Sequence, residues 1–356
     1  MLAAVRNPKL AEVARGRDNN LNLIRALAAT AVLVSHAYPL SLGPGAAEPL
    51  EGFFGKSLGS LAVDVFFVIS GYLIAASFAR SESLAQFVAA RGLRLFPGLL
   101  VSLLLVALVM GPAVTSLPLA EYFRDREFLE FVPKNMLLVS PAYELPGVFE
   151  TNPYPAVEGS IWTLFYEVAC YGGIFLIGIA GAFRDRRRLF VFLAGFYLAW
   201  AAYHFAGLDL HPKLDSLHRL SLPFAIGTTF YAIRDRMPLS LPILAALALL
   251  TWLAHGTTAF PPVLALAIGY GTFWLAFIPR GAILGYNRIG DYSYGIYVYA
   301  FPLQGLVIWL WGPMGPGLNI ALALPLTLIC AVLSWHLIEA PALEMRRRFG
   351  AARARG

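Results

Sequence analysis

Apolar residues run along this chain in blocks of about twenty, the length of helix needed to cross the hydrocarbon of a bilayer. Ten such blocks can be marked: 21–40, 58–79, 95–114, 160–182, 189–206, 218–233, 240–256, 261–278, 291–311 and 318–338. The shorter ones suit tilted or partly covered helices. The pattern predicts an all-α, polytopic integral membrane protein with about ten transmembrane helices.

The charges support that count. Lys and Arg concentrate in cytoplasmic loops of membrane proteins. With the N-terminus inside, the inner segments carry Arg6, Lys9, Arg15 and Arg17, then Arg80, Arg91 and Arg94. Further along they carry Arg184, Arg186, Arg187 and Arg188, then Arg234 and Arg236, then Arg280 and Arg288. The tail adds Arg346, Arg347, Arg348, Arg353 and Arg355, which brings 20 of the 27 basic residues inside. An odd number of helices would break this alternation, so ten spans with both termini cytoplasmic are expected. The expected organisation is a cytoplasmic segment (1–20), a transmembrane domain (21–340) and a basic cytoplasmic tail (341–356).

Composition agrees: 58% of the 356 residues are hydrophobic and 13% charged, unlike any soluble domain. The net charge of +6 follows from topology and gives no reason to expect a nucleic-acid partner. The polar N-terminus lacks a cleavage site, so no signal peptide is expected. Cys170 and Cys330 fall inside predicted helices and suit apolar thiols, with no disulfide framework. No phosphate-cradling glycine loop or metal-ligand spacing occurs. No metal and no permanently bound cofactor are expected.

Ionisable residues inside a span are costly and mark function by default. The first block, LNLIRALAATAVLVSHAYPL, holds Arg25 and His36. They lie eleven residues apart, which returns nearly to one helix face after a rise of roughly 16 Å. Asp64 lies near the outer end of the second block and Glu167 near that of the fourth. Counting in from the outer side puts His36, Asp64 and Glu167 at similar depth. A carboxylate beside the imidazole would fix its tautomer and raise its basicity. Plain interhelical hydrogen bonds, or the proton relay of an ion-coupled transporter, would use the same residues.

Arg91 and Arg94 share a helix face at the inner mouth. Such a pair suits a phosphate-bearing ligand, and equally suits anchoring to anionic headgroups. The outer connection at 115–159 is long enough to be either functional or disordered. Its Tyr143, Phe149, Tyr154 and Trp162 suit sugar stacking, but mostly an interfacial aromatic belt. The later histidines read as interfacial polar tips, and Asp215 with Arg219 as a local pair. Pro302 predicts a kink in the ninth block. His336 and Glu339 read as anchors beside the tail.

In order, NLNLIRALAATAVLVSH, VDVFFVISGYLI, RGLRLFP, SIWTLFYEVACY, IGDYSYGIYVYAFPLQ and HLIEAPAL resemble the motifs of the membrane acyltransferase-3 family. Its members are integral-membrane enzymes that O-acylate bacterial glycans and related molecules. The resemblance covers nearly the whole chain. It implies an acyl-CoA donor, usually acetyl-CoA, as cytoplasmic co-substrate. It also implies a glycan or other hydroxyl acceptor at the outer side of a bacterial inner membrane. Carried over, His36 is the general base, or less often the acyl-accepting nucleophile. Asp64 orients it, and Glu167 binds the acceptor or assists proton transfer. Arg91 and Arg94 hold the CoA phosphates, and Arg25 orients the donor. Two departures stand out. Ala300 occupies a position where members often carry histidine, and there is no room after the tenth block for the periplasmic hydrolase-like domain of some members. The competing expectation is a proton-coupled exporter of a lipid-linked or small solute.

Overall fold

The computed structural model describes residues 7–16, 18–207 and 211–345. The basic tail residues from Arg346 onward, with Arg6 and Arg17, lie outside the described residues. Helices form at all ten expected places. They are α1 (Leu21–Leu42), α2 (Leu58–Arg80), α3 (Leu84–Leu105), α4 (Trp162–Ile179) and α5 (Arg186–Ala206). Then come α6 (Pro212–Ile233), α7 (Leu241–Ala254), α8 (Phe260–Phe277), α9 (Ser293–Trp311) and α10 (Pro316–Ser334). No β-strand forms among the described residues.

Eight of the ten are long and apolar enough to cross a membrane. Helix α6 is long enough, but Lys213, Asp215 and Arg219 occupy its first half. Helix α7 has 14 residues, or about 21 Å of rise, against a core of about 30 Å. Helix α3 begins at Leu84, so the helix that carries Arg91 and Arg94 runs on into the apolar block expected from 95. Ser83 caps it by accepting from the Gln86 N–H at 3.2 Å, and Pro97 is accommodated inside the helix.

The described chain divides into two compact units, each assembled from three segments. The first takes Met1–Arg25, Val63–Ser81 and Tyr166–Gly290. Its core gathers Val68, Ile69 and Tyr72 of α2, Ile226 and Phe230 of α6, and Tyr270, Phe273 and Phe277 of α8. Lipid gives no hydrophobic drive for helices to associate, so close packing of small residues must supply it. Here Gly71 and Gly227 supply it. A Cβ on Gly71 would meet the Phe224 carbonyl carbon at 2.8 Å, and one on Gly227 the Tyr72 nitrogen at 2.9 Å. Thr228 adds a hydroxyl donated to the Gly71 carbonyl at 3.3 Å. The segment before α1 is stitched to the same unit: Leu10 N–H donates to Met237 O at 2.8 Å, and the Asn20 amide donates to Leu275 O and Pro279 O. Two of the later histidines stack on Trp200, His204 at 4.7 Å and His218 at 4.5 Å. Asp215 accepts from the Tyr203 hydroxyl.

The second unit takes Ala26–Ala62, Glu82–Phe165 and Asp291–Gly356. Its axis is α9, buried along most of its length. Gly295 lets α10 approach until a Cβ there would lie 2.6 Å from the Ala331 Cα. Gly98 does the same for α3 against the Tyr294 ring at 2.9 Å, and the Tyr294 hydroxyl donates to Leu95 O at 2.8 Å. Helix α3 continues through a π turn, Val106–Met110. Tyr122 plugs that turn by donating its hydroxyl to Ala107 O at 2.8 Å, and burial pushes its phenol up to about 12.

The long connection is well structured. It holds the helix Arg126–Leu137, with Phe131 and Asn135 facing in. Asn135 closes the following turn through two bonds with Ala142, at 3.0 and 2.9 Å. Phe149 is fully buried against Gly305, so it takes no part in a surface belt or a stacking platform.

Candidate active site

His36 belongs to the second unit. Its neighbour Ser35 accepts the Gly59 N–H at 2.9 Å and bonds Glu48 through its hydroxyl. One turn earlier, the Leu33 carbonyl accepts from the Gln304 amide at 3.0 Å. Gln304 is in turn held by Asn319, through bonds of 2.9 and 3.0 Å. Pro39 lies inside the same helix, and its missing N–H leaves the Ser35 carbonyl without its helical donor. The imidazole itself meets Phe301 edge-on, with ring centroids 5.3 Å apart. Its Nδ1 is buried with no hydrogen-bond partner among the described residues. A buried ring nitrogen left unsatisfied in a native fold calls for an explanation, and a catalytic role is one. Ala300, at the position where a second histidine was conceivable, is buried and apolar.

Arg91 and Arg94 lie on α3 in the same unit. Arg94 donates to Asp291 at 2.6 Å, and its second terminal nitrogen stands 3.6 Å from Glu339. Asp291 also accepts from the Ser293 hydroxyl at 2.5 Å, and Glu339 from Ser334 at 3.0 Å. Both acids are buried. A phosphate reaching Arg94 would therefore share it with two carboxylates, while Arg91 sits half-buried one turn earlier. The position of Asp291 near the inner boundary is visible in the sequence; its pairing with Arg94 is not.

Asp64 and Glu167 belong to the first unit, and Arg25 is the last residue of its first segment. Asp64 is fully buried. Glu167 accepts from Ser70 at 2.9 Å and from the Tyr171 hydroxyl. Ser70 stands six residues beyond Asp64 on α2, a rise of about 9 Å. Glu167 thus engages α2 nearly two turns away from Asp64.

Among the described residues, no cluster of three or more His, Cys, Asp or Glu could hold a metal ion. One further acid stands out. Glu158, one of seven acids in the outer connection, is fully buried.

No solved structure matches the chain. An O-acetyl transferase of Shigella phage Sf6 is 29% identical over 336 residues, 91% of this chain and 95% of the relative. Nodulation protein 10 of Rhizobium leguminosarum bv. viciae is 28% identical over 397 residues, 96% of this chain and 98% of the relative. The model of the acyltransferase domain, acyltransferase-3 type, matches residues 18–338. With its helical, multi-pass architecture and a histidine held in the first apolar helix, the chain belongs to the acyltransferase-3 family.

Proposed function

We propose that this multi-pass membrane protein moves an acyl group, in the simplest case acetyl, from acyl-CoA to a hydroxyl of a glycan or related acceptor. The donor approaches from the cytoplasm and the acceptor from the outer side of a bacterial inner membrane. The basic-residue asymmetry supports that orientation, with α6 and α7 completing ten spans and both termini cytoplasmic. The observation that carries the reading is His36: an imidazole fixed by Phe301 in an apolar helix, with a buried and unsatisfied Nδ1.

His36 takes the proton of the acceptor hydroxyl as that oxygen attacks the thioester carbonyl. The new C–O bond forms, the C–S bond breaks, and the CoA thiolate recovers the proton from the imidazolium. Arg91 and Arg94 hold the CoA phosphates, Arg94 with its orientation set by Asp291 and Glu339. Asp64, Glu167 and Arg25 take the supporting roles that the family motifs imply. The acyl group is delivered without a metal or a permanently bound cofactor.

The test uses purified protein in detergent with labelled acetyl-CoA and envelope glycans, read by mass spectrometry. Label on the glycan without any ion gradient is the expected result. Solute flux in proteoliposomes with no acylation would replace the enzyme by a proton-coupled exporter.

A further inference from the structure

Glu158 ends the outer connection just before α4, and the chain around it is tied to the second unit at several points. Val157 and Glu158 both donate their N–H groups to Tyr143 O, at 2.7 and 3.2 Å. Ser160 donates to Tyr297 O at 3.1 Å, and the Tyr297 hydroxyl bonds Ser160 O and Thr163. Asn152 donates to Gly305 O at 2.9 Å. The segment is fixed, so the burial of Glu158 is built into the fold.

That burial has a cost. The side chain is 0% exposed, and neither carboxyl oxygen has a hydrogen-bond partner of good geometry among the described residues. The adjacent Gly159 N–H offsets the burial only in part, and the carboxyl is pushed well above the usual carboxylate range. Burial thus favours the protonated carboxyl, which has one O–H to donate and a carbonyl to accept. An acid kept neutral so that it can donate a hydrogen bond is a known catalytic device.

Its surroundings connect it to His36. Gly159 packs so closely on Phe301 that a Cβ there would overlap the ring. The same ring meets His36 at 5.3 Å and Tyr154 at 6.2 Å. From α9, Tyr299 lies within electrostatic reach of Glu158. One aromatic side chain thus meets both the imidazole whose Nδ1 is unsatisfied and the residue that follows the buried, unsatisfied carboxyl of Glu158. A group able both to donate and to accept suits a hydroxyl, and neighbouring ring hydroxyls are what a carbohydrate offers. We propose that Glu158 is a further acceptor-binding residue, whose buried carboxyl hydrogen-bonds a ring hydroxyl of a carbohydrate next to the hydroxyl presented to His36. Its part in turnover rests on the acyl-transfer reading, but the binding itself does not need turnover.

Two measurements test it on the full-length protein in detergent. The first is difference infrared spectroscopy with a panel of methyl glycosides of glucose, galactose, rhamnose and N-acetylglucosamine. A protonated-carboxyl C=O band present in the wild type and absent from Glu158→Gln should shift when a member of the panel is added. The second is steady-state transfer from acetyl-CoA to the responding glycoside. Glu158→Ala should raise the acceptor KM at least tenfold with the acetyl-CoA KM unchanged, and Glu158→Gln should stay within about threefold of wild type. A band that no glycoside moves, or a Glu158→Ala enzyme with unaltered acceptor KM, would overturn the proposal. So would a Glu158→Gln enzyme as impaired as Glu158→Ala. A band that shifts in a protein that transfers no acyl group would keep Glu158 as a carbohydrate ligand and remove the transfer reading instead.

Discussion

Phe301 meets the imidazole of His36 edge-on, with ring centroids 5.3 Å apart and planes at 79°. Two residues along α9 from the buried Tyr299, the same ring packs on Gly159. One aromatic side chain thereby fixes the ring of the proposed base and packs on the residue that follows Glu158, the only fully buried acid among those described in the outer loop. Gln304, one turn further along α9, grips the α1 backbone at Leu33. The histidine is held from ring and backbone by one helix.

The α2–α6 crossing predicts a steric result. A Cβ on Gly71 runs into the Phe224 backbone, which cannot swing aside as a side chain can. Gly71→Ala should lower stability by about 1–3 kcal/mol, the usual cost of overpacking. Gly172 on α4 has open space around it, so Gly172→Ala should be neutral or slightly stabilising, as Ala is the better helix former. Thermal unfolding in detergent, read by size-exclusion recovery, compares the two. Equal midpoints for both variants would contradict the crossing.

Arg94 and Asp291 form a short pair of low exposure, 17% and 8%. Removing one partner of such a pair strands the other charge, at a cost of about 3–5 kcal/mol when fully buried. Asp291→Asn should therefore unfold at a clearly lower temperature. Glu339→Gln should do less, since Glu339 stands 3.6 Å from Arg94 and keeps a partner in Ser334. Similar midpoints for Asp291→Asn and wild type would show that the pair contributes nothing.

The donor assignment separates Arg91 from the chemistry. A charge-assisted hydrogen bond is worth about 1.5–3 kcal/mol. Arg91→Ala should raise the KM for acetyl-CoA roughly tenfold or more, and leave turnover of acetyl-pantetheine, which lacks the nucleotide phosphates, unchanged. An equal loss with both donors would place Arg91 outside the phosphate contacts.

Stability should also depend on Glu158 and pH. Its folded-state carboxyl titrates above the unfolded value, which is about 4.3. The linked stability is thus fully present below the unfolded value. It is lost as pH rises through the folded one, because the unfolded chain releases the proton first. Wild-type protein should lose thermal stability as pH climbs from 4 through the neutral range, and Glu158→Gln should show a shallower decline. Parallel curves would mean that the carboxyl is ionised in the fold.

Much of the architecture was legible in the sequence because lipid imposes a coarse code: long apolar runs and basic inner loops. The helix carrying Arg91 and Arg94 was legible from their spacing, while its continuity with the apolar block through Pro97 was not; Ser83, three residues before Gln86, was the available capping signal for its start. The candidate histidine was visible because an imidazole in an apolar run is costly. Its contact with Phe301 was not, nor was the pairing of Arg94 with Asp291 across 197 residues, since one sequence does not show which distant residues meet. Glu158 was hidden differently. Seven acids crowd one loop, and nothing in their spacing marks the one that folds inward, though Gly159 and Ser160 beside Trp162 hinted at close packing there.

The central claim is that His36 is the base of an acyl transfer, and the most direct measurement is transfer of label from acetyl-CoA by wild type and His36→Ala, matched for folded protein in detergent. A positioned base contributes about 10²–10⁴-fold, so the variant should fall by at least a hundredfold while its thermal midpoint stays near wild type. Full activity in a folded His36→Ala protein would contradict the account.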